Sequence, residues 1–469
     1  MSEIAELEFA AVETAPVTGH GLKAWMQEAR ELIRLAGPLV FTQLAQMAVL
    51  TTDVVMVGRL GSTPLAQAAL GNTVFFFTWL IGCGPVAAVA PMIAHILGAR
   101  PNDRAGVRAV VRMGFWAVLI LSLPLMGLLL FTRAILLALD QTDVLAAGAG
   151  LFTGIICLGL PGSLAFQVLR NFATAMGRPQ SALWVMGATV LFNAIGDYSL
   201  IFGHFGAPRL GLAGAAMASA CSYTFSFVAM LAVVYATPAL RAVRIFRRFQ
   251  RVHWEKLAEI FRLGMPIGLT MIFEAMLFNS ATLLMGTFGT AYVAAHQIAI
   301  NVPSITFMVP LGIGMGATVR VGLAAGAGDG EGVRRAGLTA LVLGAGFMCL
   351  TGIFLCLFPH AIASLYFADP KANAQVIALA ASFLYVAAAF QVFDGLQVVG
   401  AMSLRGLKDA RAPMWIAGAS YWLVGFPTCF ALGFWAGMKG FGIWIGLAVA
   451  LLVAASAMCC RFWYLASRR

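Results

Sequence analysis

Charge is what this 469-residue chain has least of. Asp, Glu, Lys and Arg make up 10% of it, against 61% hydrophobic residues, and the mean hydropathy is +0.90. A soluble domain carries about 25% charged residues, so a water-exposed globule is excluded. Period-two alternation is missing, which excludes an outer-membrane β-barrel. There is no GxxxxGK[ST] loop, so ATP is not an evident energy source. The eight cysteines are scattered and only Cys459 and Cys460 are neighbours, so their spacing gives neither a metal site nor a disulfide framework. GIGMG (312–316) has the glycines of a nucleotide loop but no strand before it, and small residues at a tight helix contact account for it better. The first twenty residues are acidic (Glu3, Glu6, Glu8, Glu13) and lack the basic start and cleavage site of a signal peptide. A retained, disordered tail over 1–21 is expected.

What is present is a series of apolar runs of about 20 residues, the length of a membrane-spanning helix. They fall near 35–57, 66–97, 108–132, 145–170, 181–203, 211–236, 264–287, 291–319, 336–358, 373–404, 412–434 and 441–463. The expected fold is all-α, with twelve transmembrane helices. With the N-terminus in the cytoplasm, 25 of the 30 Lys and Arg fall in inner segments, and the outer loops keep Arg59, Arg133, Arg209, Lys371 and Lys439. That asymmetry is the positive-inside pattern. It accounts for the net charge of +11 without a nucleic-acid partner. The richest basic segment, RAVRIFRRFQRVHWEKLAEIFR (241–262), has apolar residues at helical spacing and is expected to lie along the inner membrane surface.

That segment stands near the middle of the chain, between two halves that resemble each other. RLAGPLVFTQLAQMAVLTTDVVMVGRLG (34–61) aligns without a gap on RLGMPIGLTMIFEAMLFNSATLLMGTFG (262–289), at an offset of 228. ATAMGRPQSALW (173–184) falls on LRGLKDARAPMW (404–415), at an offset of 231. Six spans per copy give both copies the same orientation. The expected organisation is an N-lobe over 22–237, a basic amphipathic linker over 238–262 and a C-lobe over 263–469. Two pseudo-symmetric six-helix bundles of this kind are a transporter architecture.

Four of the nineteen acidic residues lie inside spans: Asp53, Asp197, Glu274 and Asp394. A carboxylate at the centre of a spanning helix costs roughly 2.5–3.5 kcal/mol on insertion scales. No Lys or Arg falls deep in a predicted span to pair with these. They are expected to face a wet cavity and to be neutralised by protons, metal cations or a cationic substrate. Gln391, Asp394 and Gln397 make one helical stripe, Asn193 and Asp197 are one turn apart, and Thr42, Gln46 and Asp53 share a face. Glu274 aligns with Gln46 across the repeat. Such residues can also join two helices through a hydrogen bond, and for the amides that is an even alternative. His296 reads as a proton relay or, more simply, a helix-end hydrogen bond. The many Met and Phe suggest a soft cavity able to repack around varied ligands. The acids lie on different spans with no catalytic motif, so an enzyme is not expected.

TDVVMVGRLG (52–61), NAIGD (193–197), FQVFDGLQVV (390–399) and LRGLKDARAPM (404–414) together resemble the multidrug and toxic compound extrusion (MATE) family, and the pairing of Glu274 with the 390–399 motif resembles its NorM branch. The resemblance covers nearly the whole chain. It implies alternating access, with organic cations exported in exchange for Na⁺ or H⁺. It implies a cation site at Asp53, Asn193 and Asp197, and another at Glu274 and Asp394, with Na⁺ held by the same carboxylates. Gln46, Gln391, Gln397 and Phe390 are candidate cavity-lining residues. Phe390 stands where some NorM relatives carry Tyr, so a hydroxyl is missing there. The implied protein is a monomer in a bacterial inner membrane, both termini cytoplasmic, in contact with lipid and needing no cofactor beyond the coupling ion. An exporter or flippase of a lipid-linked or other amphipathic substrate is the alternative; an anionic cargo would call for basic residues inside the cavity. Reporter fusions are expected to be cytoplasmic after Ala239 and periplasmic after Ala207. A periplasmic signal in the 238–262 segment would overturn the six-plus-six arrangement.

Overall fold

The computed structural model describes residues 21–367 and 369–468; the expected tail lies almost wholly outside the described residues. Among the described residues, twelve helices are long and apolar enough to cross a membrane. In chain order they are α1 Leu22–Gly58, α2 Ser62–Ala99, α3 Arg104–Leu130, α4 Asp143–Ala175, α5 Gln180–Phe202, α6 Leu212–Ala236, α7 Trp254–Gly286, α8 Thr290–Gly326, α9 Gly330–Leu357, α10 Ala374–Gly406, α11 Arg411–Trp435 and α12 Lys439–Ser467. The all-α, twelve-span expectation holds, although several helices run past the apolar windows. Large side chains such as Trp184, Leu123, Leu283 and Leu423 stay exposed, as a lipid-facing surface allows.

Helix boundaries follow local chemistry. Asp103 and Asp329 cap the starts of α3 and α9, the third span of each repeat. Their carboxylates accept from Gly106 N at 2.7 Å and Gly332 N at 2.8 Å, meeting backbone donors that a first helical turn leaves unpaired. Pro91 cannot donate to Ala87, and α2 breaks at Ala88. Pro161 cannot donate to Cys157, where α4 tightens into a 3₁₀ turn at Cys157–Gly159. Pro427 cannot donate to Leu423, and α11 has π-helical stretches at Ala419–Gly425 and Ala431–Trp435.

The chain forms two compact units, one over Phe41–Gly268 and one over residues 21–40 and 269–468. The sequence reading placed the divide at the ends of a linker, 237/238 and 262/263. The structure places it inside two helices, because α1 and α7 each belong to one unit in their first half and to the other in their second. The two divides, after Val40 and after Gly268, are 228 residues apart, which is the offset of the repeat. In the first unit α4 packs against α2 and α6; in the second the equivalent α10 packs against α8 and α12.

Within the second unit the start of α1 is held by a buried ion pair. Arg320 Nε donates to Glu28 Oε1 at 2.8 Å and Arg320 Nη2 to Glu28 Oε2 at 2.7 Å. Both residues lie just outside the apolar runs at 35–57 and 291–319. Gly312 and Gly316 of the GIGMG segment lie against Val40 and Leu32 of α1, so those glycines do serve a helix contact. Within the first unit, Gly264 and Gly268 of α7 have GxxxG spacing and lie directly on the Gly84–Pro85 backbone of α2. A Cβ at Gly264 would run into that backbone, which cannot rotate away as a side chain can. Gly264→Val is therefore expected to destabilise by at least ~1–3 kcal/mol, read as a lower melting temperature in detergent. Gly187→Val, at a position with open space around it, is the control and should melt close to wild type.

Candidate functional site

Hydroxyl groups inside these helices mostly satisfy themselves. Thr78, Thr189, Ser222 and Thr428 each donate to the carbonyl four residues back. A carboxylate cannot do this, because it only accepts and the helix has spent its N–H groups on its own ladder. The intramembrane acids therefore depend on side chains from other helices, and the structure gathers those into two clusters.

The first lies in the first unit. Asp53 of α1 meets Asn193 and Asp197 of α5 and Ser219 of α6. Ser219 Oγ donates to Asp53 Oδ2 at 2.9 Å. Asp53 Oδ1, both side-chain atoms of Asn193 and both carboxyl oxygens of Asp197 are buried with no hydrogen-bond partner among the described residues. Asp53 and Asp197 are neighbours, yet two carboxylates offer only acceptors to each other. Tyr223, one turn after Ser219, interacts electrostatically with Asp53. The three residues expected from the sequence do come together, and Asn193 and Asp197 are fully buried. Gln46, further back on α1, is half-buried.

The second cluster lies in the second unit. Asp394 of α10 interacts electrostatically with Glu274 of α7. Tyr421 of α11 interacts with both and points toward Gln397 of α10. Asp394 Oδ1, Gln397 Oε1 and Tyr421 Oη are buried without hydrogen-bond partners among the described residues. Asp394 is 5% exposed, whereas Glu274 is half-buried. Arg405, one helical stretch beyond Asp394, interacts electrostatically with Glu274; the sequence reading had found no cation to pair with it.

The stripe partners of Asp394 divide. Gln391 donates from Nε2 to Met348 O at 3.2 Å and accepts from Thr306 Oγ1 at 3.1 Å, so it ties α10 to α8 and α9. Gln397 instead turns its unpaired oxygen toward the cluster. Phe390 is buried edge-on between Trp444 and Phe278, at 5.5 and 5.9 Å between ring centres, and forms a wall. His296, fully buried, lies with Nε2 3.1 Å from Thr282 Oγ1, an interhelical contact. A separate cavity of about 420 Å³ between α2, the end of α3 and the short helix Thr132–Ala138 is lined by residues that include Leu70, Val74, Phe77, Leu136 and Leu139 and by none of the four acids.

Sequence reasoning missed Ser219, Tyr223, Tyr421 and Arg405. Ser219 sits in AMASACSY, which reads as small residues for helix packing. Tyr421 sits in ASYWLVG, where the helix is π-helical, so the regular 3.6-residue spacing does not predict its face. Pro427 was the available signal.

Twelve spanning helices in two repeats, with acids gathered inside each unit, define a multi-pass membrane transporter. The MatE family model matches residues 38–199 and 266–431, one match in each repeat. The chain is 44% identical over 440 residues to the probable multidrug resistance protein NorM of Mesorhizobium japonicum, covering 93% of this chain and 94% of that one. It is 41% identical to the NorM of Brucella suis, with 93% of each covered. Among solved structures, the eukaryotic MATE transporter AtDTX14 superposes with a TM-score of 0.83 at 22% identity, over 95% of this chain and 98% of that chain, and so shares the fold. The chain belongs to the MATE family, in its NorM-like branch.

The Tyr421 hydroxyl, directed at Gln397 but outside hydrogen-bond geometry, gives a direct test of the second cluster. A buried hydroxyl with no partner costs stability, on the order of 1–3 kcal/mol. Tyr421→Phe is expected to melt at or above the wild-type temperature in detergent. A fall equivalent to about 1 kcal/mol would show that the hydroxyl holds the fold through a hydrogen bond.

Proposed function

We propose that the protein exports amphipathic organic cations from the bacterial cytoplasm in exchange for H⁺ or Na⁺, by alternating access, with both termini on the cytoplasmic side of the inner membrane. The observation that carries this reading is the pair of clusters in which buried carboxyl oxygens lack a protein donor. In each set only oxygens can ligate a cation, since an amide nitrogen has no lone pair to give: Asp53, Asp197, Asn193 and Ser219 in one, Asp394, Glu274, Gln397 and Tyr421 in the other. Oxygen donors suit protons and hard cations rather than soft metals. Two carboxylates in a site poor in water relieve their repulsion by sharing a proton or holding a cation. Exchange of one cation for another keeps the site compensated through the cycle. Any net charge moved is worth about 2.3 kcal/mol per 100 mV, which sets how the membrane potential enters. The names of the NorM relatives support a multidrug role, and the half-buried Glu274 supplies the negative group a cationic drug would meet. Anionic cargo is a poorer match. The buried Arg320 is bound to Glu28, and the buried Arg170 donates from Nη1 to Gln43 Oε1 at 2.7 Å.

The test is efflux of a fluorescent organic cation from vesicles under separately imposed Na⁺ and H⁺ gradients. One gradient should accelerate efflux and its collapse should abolish it. Asp394→Asn and Glu274→Gln keep side-chain shape and lose charge, so they should insert normally and lose at least about 90% of transport, since a buried ionisable group of this kind is functional. Wild-type rates at equal expression would return these acids to a structural role. Asp53→Asn should flatten the pH dependence of efflux, because it removes one of the two acids that share the first site. Glu274→Gln should mainly weaken drug or Na⁺ binding. Identical pH profiles for the two variants would mean that the clusters do not divide the work.

A further inference from the structure

We propose that the arginine-rich segment between α6 and α7 is a binding surface for the headgroups of anionic phospholipids. The sequence suggested an amphipathic helix lying on the membrane. The structure shows a helix only at Pro238–Arg241, followed by turns to residue 250 and irregular backbone to residue 253. Those turns are fastened to α3. Arg108 Nε donates to Val243 O at 2.7 Å, Arg112 Nη1 to Arg248 O at 2.5 Å and Trp116 Nε1 to Phe249 O at 3.2 Å. Phe249 stacks on Trp116 and Phe246 packs on Phe115, while Val243 and Ile245 are buried. The apolar side of the segment is thus consumed within the protein. Phe246 and Phe249 are partly buried there, and Trp254, at the start of α7, is the large apolar side chain left exposed beside the arginines.

What remains outward is charge of one sign. Arg241, Arg244, Arg247, Arg248 and Arg251 are all exposed. Arg108 feels Arg112, Arg244, Arg247 and Arg248, and Arg112 feels Arg251. None of the five exposed arginines forms an ion pair among the described residues. Arg244 and Arg248 have left-handed backbones, with φ of 53° and 58°, a conformation uncommon for a non-glycine residue. The turns therefore hold Arg244, Arg247, Arg248 and Arg251 near Arg108 and Arg112 of α3 against the repulsion of like charges. An anion with several oxygens resolves this, and phosphate matches the guanidinium fork. A phosphate could come from a lipid headgroup or from solution. The headgroup is the better match because the segment joins the ends of two spanning helices, which fixes it at the membrane surface, where anionic lipids attract polybasic stretches. The proposed topology enters only in assigning the cytoplasmic leaflet.

The experiment uses the full-length protein in detergent, titrated with phosphatidylglycerol, phosphatidylcholine or sodium phosphate. Thermal unfolding and native mass spectrometry of retained lipid are the readouts. Phosphatidylglycerol should stabilise and be retained, in a salt-sensitive way, and the other two should not. The triple change R241Q, R247Q, R251Q spares both left-handed positions and the three carbonyl bonds. At about fivefold per arginine it should weaken retention roughly a hundredfold. The charge-preserving triple R241K, R247K, R251K should keep most of the response. Removal of residues 2–19 should leave it unchanged. The proposal is overturned if sodium phosphate stabilises as well as the lipid at equal phosphate. It also fails if the glutamine variant retains lipid like wild type, or if the lysine variant loses as much as the glutamine one. A lipid response that emerges only after removal of the acidic N-terminal residues would give the surface to that segment instead.

Discussion

An ionised carboxylate can only accept hydrogen bonds, and a helix inside a membrane has no donors left to give it. That constraint organises the interior of both units. Serine and threonine hydroxyls bond back to their own helices and ask nothing of their neighbours. Asp53, Asp197, Glu274 and Asp394 cannot, so they gather with side chains from other helices. The donors that arrive are few: Ser219 in one cluster, with Asn193 beside it, and Tyr421, Gln397 and the more distant Arg405 in the other. Several oxygens stay unmatched among the described residues, which is the feature on which the proposed exchange of cations rests.

The irregular stretches of helix serve the same end. Proline interrupts the ladder at Ala88, at Cys157–Gly159 and in the π-helical stretch of α11. In α11 that stretch carries Tyr421, which interacts electrostatically with Asp394 and Glu274. Glycines do the complementary work of bringing backbones together, at Gly84 with Gly264 and Gly268, and at Gly312 and Gly316 beside α1. Without a hydrophobic difference between lipid and protein to drive assembly, this close packing supplies much of the attraction between helices.

Duplication accounts for the scaffold and leaves the chemistry unequal. α1 and α5 of the first cluster correspond to α7 and α11 of the second. The third helix differs, α6 in one and α10 in the other. Asp394 has Ser163 as its counterpart at the 231 offset, and Ser163 accepts from Trp79 Nε1 at 2.9 Å as an ordinary helix tie. The two sites thus share a framework while differing in donors and exposure, Asp197 being fully buried and Glu274 only half so.

The sequence by itself determined the twelve spans, the repeat and the four acids, because each rests on a strong local signal: the length of an apolar run, a gapless match, or the cost of a charge in lipid. It also brought Asn193 and Asp197 to one face, since helical periodicity is local. Tertiary structure alone decided the rest. Which half of α1 belongs to which unit depends on contacts distant in sequence, such as Glu28 with Arg320. Gln391 and Gln397 look alike on one stripe, yet Thr306 and Met348 tie the first while the second meets Tyr421. The basic linker has helical spacing, but the donors of Arg108, Arg112 and Trp116 capture its carbonyls and turn its aromatic side onto α3. In each case the outcome depends on which neighbour a side chain meets, and that is set by packing across hundreds of residues rather than by any pattern within one segment.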